Sequence, residues 1–162
     1  MDALQRLVEL DALYRLKASY FRFFDTKDWD SWLGLFLEDA VLKADSAPMW
    51  EQNAPVLVLN GRKAMADYLV PRSALRKTCH QGHTPEIDFQ SDTEATGIWA
   101  MEDTLEYADH VVHGQGHYHE IYRKVNGAWR IASLHLKRLR VKTYPHLSHP
   151  PEKARAVFEQ PR

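Results

Sequence analysis

Two histidines and a carboxylate in one stretch of this chain are residue types that transfer protons. The stretch runs from Thr78 to Asp103, with His80 and His83 near its start and the acid at its end. If Gly97 to Leu105 is extended, Asp103 shares a face with Trp99, Met101 and Leu105, since side chains alternate along a strand. Burying an unpaired carboxylate costs several kcal/mol, so we expect Asp103 to be paired, protonated or facing a polar cavity. The alternative is that Asp103 lies at the rim of the fold, in water.

A second acid, Asp25, closes an amphipathic segment. Apolar residues recur at spacings of three and four from Ala3 to Thr26, which predicts a helix with one buried face. An acid at a helix C-terminus opposes the helix dipole, so we expect Asp25 to have a compensating role. In one interpretation it caps a second helix, with Asp28 three residues on, that runs through Trp29, Trp32, Leu35 and Phe36. In the other it reaches from behind Tyr20, Phe21 and Phe24 into a cavity and holds a histidine.

Arg138 is a candidate partner for Asp103. It shares a face with Leu134 and Leu136 if Trp129 to Val141 is a regular strand, which brings a guanidinium toward an apolar environment. A buried arginine requires an anion because it does not shed its charge. The alternative, which the sequence favours, is a solvated cluster of Arg138 with Lys137 and Arg140.

Three further histidines share one face of a long predicted strand: His113, His117 and His119. A His-x-His pair in a strand can chelate a metal, but solvent-facing histidines give the same pattern and no thiolate cluster accompanies them. We therefore predict no metal site. Gly114 and Gly116 alternate with the histidines and remove side-chain bulk beside Tyr118, as expected for a sheet face that lines a cavity or bends.

Helices precede strands along the chain. After Glu38 we expect a short extended segment at Ala40 to Lys43, a loop from Asp45 to Pro55 and a strand from Val56 to Leu59. A short helix starts at Gly61 and should end at Val70, because Pro71 disfavours the helical conformation in the residue before it.

Three long strands are predicted next: Thr93 to Tyr107, Val111 to Val125 and Ala128 to Lys142. Asn126-Gly127 between the last two is a strong signal for a two-residue hairpin turn. This order predicts an α+β fold in which the helices pack on the concave face of a curled antiparallel sheet. We expect one domain over residues 1–143 and an irregular arm over 144–162, with at most a helical turn from Glu152 to Phe158.

Composition excludes several classes of function. The 21 Lys and Arg nearly balance the 22 Asp and Glu, so no nucleic acid or anionic membrane is expected as a partner. The single cysteine, Cys79, rules out an intramolecular disulfide framework, and with no apolar targeting segment this favours the cytoplasm. No nucleophile elbow and no phosphate-binding glycine loop are present, so we expect no cofactor and no covalent hydrolase chemistry.

Four segments carry a resemblance to a known family: YFRFFDTKDWD (20 to 30), HQGHTPEI (80 to 87), ATGIWAMED (95 to 103) and GAWRIASLHLKRLRV (127 to 141). Together they resemble SnoaL-like proteins of the nuclear transport factor 2-like superfamily. The resemblance covers Leu4 to about Val141. It is strongest to the branch that contains bile acid 7α-dehydratase and more distant to scytalone dehydratase. It implies a cone-shaped α+β barrel, a curled sheet with three packed helices and an active site inside the cone.

The resemblance also implies a set of site residues. The dehydratase pattern of Tyr, Asp, His, Asp and Arg falls on Tyr20, Asp25, His80, Asp103 and Arg138. Tyr118 lies on the strand where scytalone dehydratase places a substrate-binding polar residue, and we add as substrate-binding candidates Phe24, Trp99 and Met101. His83 is expected to be structural. The chain departs from scytalone dehydratase at Phe24, where that family has tyrosine, and near Leu105, where its second histidine falls, which argues against a scytalone-like substrate.

The expected function is that of a cofactor-independent lyase. It would remove water from a cyclic, hydrophobic ketone or enone of polyketide, steroid or terpenoid type, with His80 as base held by Asp25. The enzymatic alternative is a polyketide-type cyclase or isomerase that uses the same acid–base groups. The non-enzymatic alternative is a small-molecule-binding module, whose cavity would be collapsed, with His80 in solvent. Related dehydratases imply a homo-oligomer, a dimer or trimer.

Overall fold

The computed structural model of the protein describes residues 1–145. Three helices and six strands follow one another along the chain: α1 (Ala3–Thr26), α2 (Trp29–Leu33), β1 (Phe36–Pro48), β2 (Val56–Asn60), α3 (Gly61–Ser73), β3 (Lys77–Phe89), β4 (Glu94–Glu106), β5 (His110–Val125) and β6 (Ala128–Pro145). No helix within this part of the chain is both long and apolar enough to cross a membrane.

Helix α1 has the bounds that its sequence predicts. Its first turn is capped by Asp2, whose carboxylate accepts a hydrogen bond from the Gln5 backbone N–H at 2.8 Å. Two charged residues, Glu9 and Lys17, are buried on this helix together with apolar residues that recur at spacings of three and four: Leu13, Leu16, Tyr20 and Phe24. The apolar residues of its first two turns, Leu4, Leu7 and Val8, are exposed instead, so the buried face is shorter than the sequence suggests.

Helix α2 is capped by Asp28, which accepts from the Ser31 backbone N–H. Asp25 belongs to the last turn of α1, so the interpretation of Asp25 as a helix cap is wrong. The helix also ends at Leu33 and does not continue through Phe36, because Phe36 enters the sheet beside Ile131 of β6.

The central part of the chain is more regular than predicted. Strand β1 reaches Pro48, where a loop was expected from Asp45, because it pairs with β2 on one side and β6 on the other. Helix α3 passes through Val70-Pro71 and ends at Ser73, with its last turn closed by the bond from Ala74 N to Val70 O.

The six strands form one curled, unclosed sheet in the order β2-β1-β6-β5-β4-β3. The predicted curled antiparallel sheet is confirmed at every neighbouring pair except β1 and β6, which are parallel. Strand β3, which the sequence did not separate from its surroundings, forms one edge. The Asn126-Gly127 turn is confirmed, with φ of 52° and 79° at its two residues.

Helix α1 packs on the inner face of the sheet, and the core between them is rich in aromatic side chains such as Tyr20, Trp32, Tyr118 and Tyr122. The α+β class and the helices-then-strands arrangement are confirmed. Of the predicted arm, Tyr144 and Pro145 continue β6. The remainder, including the proposed turn at Glu152 to Phe158, lies outside the described residues.

Candidate active site

A histidine on strand β3 is held by a carboxylate from helix α1. The His80 Nδ1 atom lies 2.6 Å from Asp25 Oδ1, and the His80 backbone N–H donates to Asp25 Oδ2 at 2.8 Å. Thr78, two residues earlier on the same face of β3, donates its hydroxyl to Asp25 Oδ1 at 2.8 Å. Three bonds therefore fix the carboxylate against the strand, and the interpretation in which Asp25 holds a histidine is the one that the structure supports.

The ionisation of Asp25 and the tautomer of His80 follow from the hydrogen bonds around them. Burial alone would raise the pKa of Asp25, but the hydrogen bonds from the His80 ring, the His80 backbone and Thr78 hold that pKa below its usual value. The carboxylate therefore stays ionised near neutral pH and accepts from Nδ1–H. This fixes the tautomer of His80 in which Nε2 carries no proton and is basic.

The unfavourable position of Asp25 at the end of a helix is also compensated. Lys27, in the left-handed conformation that ends α1, donates from Nζ to the Thr78 hydroxyl at 2.8 Å. Hydrogen bonds from Lys27 to Thr78, from Thr78 to Asp25 and between Asp25 and His80 thus link the C-terminus of α1 to the edge strand. They also place a cation close to the acid that opposes the helix dipole.

Asp103 and Arg138 form a second pair in the same region. Two guanidinium nitrogens of Arg138 donate to the two carboxylate oxygens of Asp103 at 2.8 and 2.7 Å. Asp103 is 2% exposed, and Arg138 is partly buried. Of the three states expected for Asp103 the paired one is observed, and the solvated cluster favoured for Arg138 is wrong because strand β6 turns this side chain inward.

Glycine is required beside this pair. A Cβ on Gly114 would overlap Arg138 Nη1 and lie 2.5 Å from Asp103 Oδ1. The space that Gly114 leaves is therefore filled by the ion pair, not by the cavity. Gly116 instead allows the close approach of the Lys137 backbone at a bulge between β5 and β6.

Two tyrosines complete the polar groups. Tyr20 and Tyr118 are 6% and 2% exposed, and their ring centroids lie 5.9 Å apart. Burial raises the pKa of both phenols, and the charge of Glu120 raises that of Tyr20 further, so both hydroxyls remain protonated. Beneath them the buried Lys17 ammonium lies 3.6 Å from the centroid of the Tyr118 ring and is ion-paired with Glu120.

These groups surround a cavity of about 140 Å³. Cavities of about 150 Å³ accommodate a benzene-sized ring. Its wall is mostly aliphatic and aromatic and is formed by Tyr20, Phe24, Leu42, Ala44, Leu57, Leu69, Ser73, Arg76, Thr78, His80, Asp103, Leu105, Tyr118, Leu134, Leu136 and Arg138.

Most of the predicted site residues meet in this wall: Tyr20, Phe24, His80, Asp103, Tyr118 and Arg138. Asp25 lies behind His80. The structure instead places Trp99 and Met101 deeper in the core, away from the wall, although they share the Asp103 face of β4. The cavity lies at the Leu105 end of that strand, whereas the indole N–H of Trp99 donates to the Tyr122 hydroxyl at 2.8 Å.

Thr78 and Arg76 also line the cavity, and neither was predicted as a site residue from the sequence. Thr78 precedes His80 by two residues, so the alternation of a strand would have placed it on the same face had β3 been recognised. Arg76 lies in the bend just before β3, and no local signal indicates its place in the cavity wall. His83 is exposed on the other face of β3. Within residues 1–145, no group of three or more His, Cys, Asp or Glu side chains is arranged to hold a metal ion.

Comparison with known proteins identifies the family. Residues 5–135 match the SnoaL-like domain. The chain belongs to the SnoaL-like family. It therefore has the nuclear transport factor 2-like fold that the four sequence segments indicated, while its place in the bile acid 7α-dehydratase branch stays a prediction.

Individual relatives of this SnoaL-like protein carry several names. A probable cyclase, FGR4, from Gibberella zeae is 27% identical over 142 residues, which cover 78% of this chain and 89% of the relative. The crystal structure of a putative scytalone dehydratase from Novosphingobium aromaticivorans superposes with a TM-score of 0.75 at 23% identity, over 88% of this chain and 92% of the other. The crystal structure of hexachlorocyclohexane dehydrochlorinase LinA-type3 from Novosphingobium barchaimii superposes with a TM-score of 0.70 at 18% identity, over 93% of this chain and 100% of the other. The relatives thus include proteins named as a dehydratase, a dehydrochlorinase and a cyclase, and the two structural matches show the shared fold.

Proposed function

We propose that this SnoaL-like protein is a cofactor-independent lyase that removes water from a small, largely apolar cyclic ketone or enone. The observation that supports this best is the 2.6 Å contact between His80 Nδ1 and Asp25 Oδ1, which leaves Nε2 of a cavity-lining imidazole as the basic nitrogen. The Nε2 atom has no hydrogen-bond partner among residues 1–145, so it is available to a molecule in the cavity.

The first step is removal of a proton from the carbon next to the carbonyl. The C–H bond breaks, its proton goes to His80 Nε2, and the electron pair passes to the carbonyl oxygen as an enolate. Asp25 stabilises the imidazolium that forms. Tyr20 and Tyr118 donate hydrogen bonds to the enolate oxygen, and their raised pKa keeps both phenols neutral as donors.

The second step is loss of the hydroxyl group from the next carbon. The enolate electrons re-form the carbonyl and the ring double bond while the C–O bond breaks, and the proton on His80 passes to the departing oxygen, which leaves as water. Arg138 holds that oxygen with an N–H group not used for Asp103. Asp103 keeps the guanidinium in position, and because both its oxygens accept from Arg138, it serves as a carboxylate and not as the acid.

A polyketide-type cyclase is the second candidate, since the 27% identical relative is named a probable cyclase. The same base and donors would then form an enolate that attacks a second carbonyl of the same molecule. An isomerase would return the proton to a different carbon. The open cavity with its oriented histidine supports either enzymatic role over a purely binding one.

The mass of the product separates dehydration, which loses one water molecule, from cyclisation and isomerisation, which conserve mass. Incubating the protein with a panel of cyclic β-hydroxy ketones and analysing the products by mass spectrometry should reveal loss of one water molecule. The His80→Ala variant should lose most turnover and remain folded, while His83→Ala, exposed on the opposite face of β3, should retain it. Full activity of His80→Ala on a verified substrate contradicts the assignment, and a product of unchanged mass favours the cyclase or the isomerase.

A further inference from the structure

The cavity wall contains a cation, Arg76, that the proposed reaction does not use. Its guanidinium carbon lies 4.4 Å from the centroid of the Tyr107 ring, and Tyr107 in turn stacks on the His110 ring at 4.3 Å. An arginine side chain whose guanidinium packs on an aromatic ring loses part of its conformational freedom before any ligand binds. Arg76 is therefore held in place at the cavity and only partly exposed.

The register of the sheet gives the position of Arg76 relative to the reacting groups. His80 pairs with Asp103 across β3 and β4, and Thr78 pairs with Leu105 one row further along. Arg76 immediately precedes β3 and Tyr107 immediately follows β4, and the two side chains are in contact just beyond the last paired row, Lys77 with Glu106. The cation is thus at the rim of the cavity, and the row of Thr78 and Leu105 lies between it and His80.

None of the ion pairs among residues 1–145 includes Arg76. Asp103 and Arg138 neutralise each other, and Asp25 is engaged by His80, Thr78 and, through Thr78, by Lys27. The carboxylate at the end of β4 in this region, Glu106, is ion-paired with Lys77 at 2.7 Å. Burial lowers the pKa of Lys27, and the charge of Arg76 lowers it further, as expected for two cations that face the same region. Among the described residues, Arg76 is therefore a cation without an ion-pair partner at the mouth of a mostly apolar cavity.

We propose that the substrate of this cavity carries an anionic group, with a carboxylate as the simplest example, which Arg76 binds while the ring lies over His80. A guanidinium offers two parallel N–H groups that match a carboxylate, and partial burial strengthens that contact. This inference rests on the proposed function for the orientation of the ring, but the anion site itself does not depend on turnover. It predicts an amphiphilic substrate, acidic at one end and reacting at the other.

The test compares two probes: a cyclohexenone that bears a carboxylate and the same ring that bears a primary amide. Isothermal titration calorimetry on the full chain should show that the carboxylate binds about tenfold more tightly or better, as for a hydrogen bond to a charged group. Arg76→Gln should abolish this preference and leave the affinity for the amide unchanged, which also controls for folding. Arg72→Gln makes the same charge change on α3, outside the cavity wall, and should keep the preference.

Two results would overturn the anion site. One is the absence of a carboxylate preference in the unmodified protein, whether both probes bind equally or neither binds. The other is an equal loss in Arg76→Gln and Arg72→Gln, which would indicate a general effect of net charge. The proposed reaction fails separately, because an inactive protein that retains the Arg76-dependent preference would refute the elimination chemistry and leave the anion site intact.

Discussion

Replacing Asp25 by Asn tests whether the carboxylate sets the tautomer of His80. In the protein both Asp25 oxygens accept, one from the His80 ring and Thr78 and the other from the His80 backbone N–H. An amide has only one oxygen. If that oxygen stays on the backbone N–H, the amide NH₂ faces Nδ1 and donates to it, so the ring proton moves to Nε2 and the base is lost. The opposite orientation places two donors face to face, which costs about 1–3 kcal/mol.

The expected loss of activity follows from the role of the histidine. A positioned general base contributes about 10²- to 10⁴-fold to the rate, and the wrong tautomer removes that contribution. We therefore expect kcat to fall by about 10²- to 10⁴-fold. The fold should persist, because the lost bonds are worth about 1–3 kcal/mol against a typical total of about 5–15 kcal/mol.

The assay is the rate of water loss, followed by product mass or by the absorbance of the new enone, with thermal unfolding recorded on the same samples. Asp28→Asn is the matched control. It makes the same charge change three residues away, at the N-cap of α2, where Asn is as good a cap as Asp. Retention of more than about a tenth of the activity in Asp25→Asn would refute the tautomer argument, since a general base contributes at least about 10²-fold. So would an equal loss in both variants.

Three further predictions concern stability. Folding lowers the pKa of Asp25. The ionised carboxylate therefore stabilises the fold above its unfolded pKa of about 4, and this contribution is lost as pH falls through the lower, folded pKa. In urea titrations the free energies of unfolding of Asp25→Asn and of the parent protein should converge as pH falls below about 4. Lys17→Met leaves Glu120 buried without its cation and should cost about 3–5 kcal/mol, and adding Glu120→Gln should recover part of this in a double-mutant cycle. Gly114→Ala should displace the adjacent ion pair and cost about 1–3 kcal/mol, measured by thermal unfolding; an unchanged melting temperature would contradict the close contact.

Local patterns predicted the elements with strong periodicity. The helix from Ala3 to Thr26, the long strands and the Asn126-Gly127 turn all follow from apolar spacing and turn chemistry within a short window. The α+β class followed from their order. Strand β3 was missed because, at the edge of the sheet, its residues alternate only between partly buried and exposed, so hydrophobic alternation is weak.

Contacts between distant segments could not be read in the same way. Arg138 was assigned to a solvated cluster because its two basic neighbours dominate the local composition, whereas the partner that brings it inward lies 35 residues earlier in the chain. The parallel pairing of β1 with β6 likewise depends on tertiary contacts, which no local sequence pattern encodes. The type and position of Asp25 did raise the question of a role beyond helix capping, because an acid at a helix C-terminus is unfavourable by itself.

The His80–Asp25 contact joins segments 55 residues apart, one on the first helix and one on an edge strand. Neither the helix alone nor the sheet alone contains a working base. During refolding, secondary structure can form before α1 docks on β3, but the imidazole is oriented only after docking. If the proposed function is correct, recovery of activity would therefore report the docking of α1 on β3, and a protein that has regained its circular dichroism signal without this contact would be inactive.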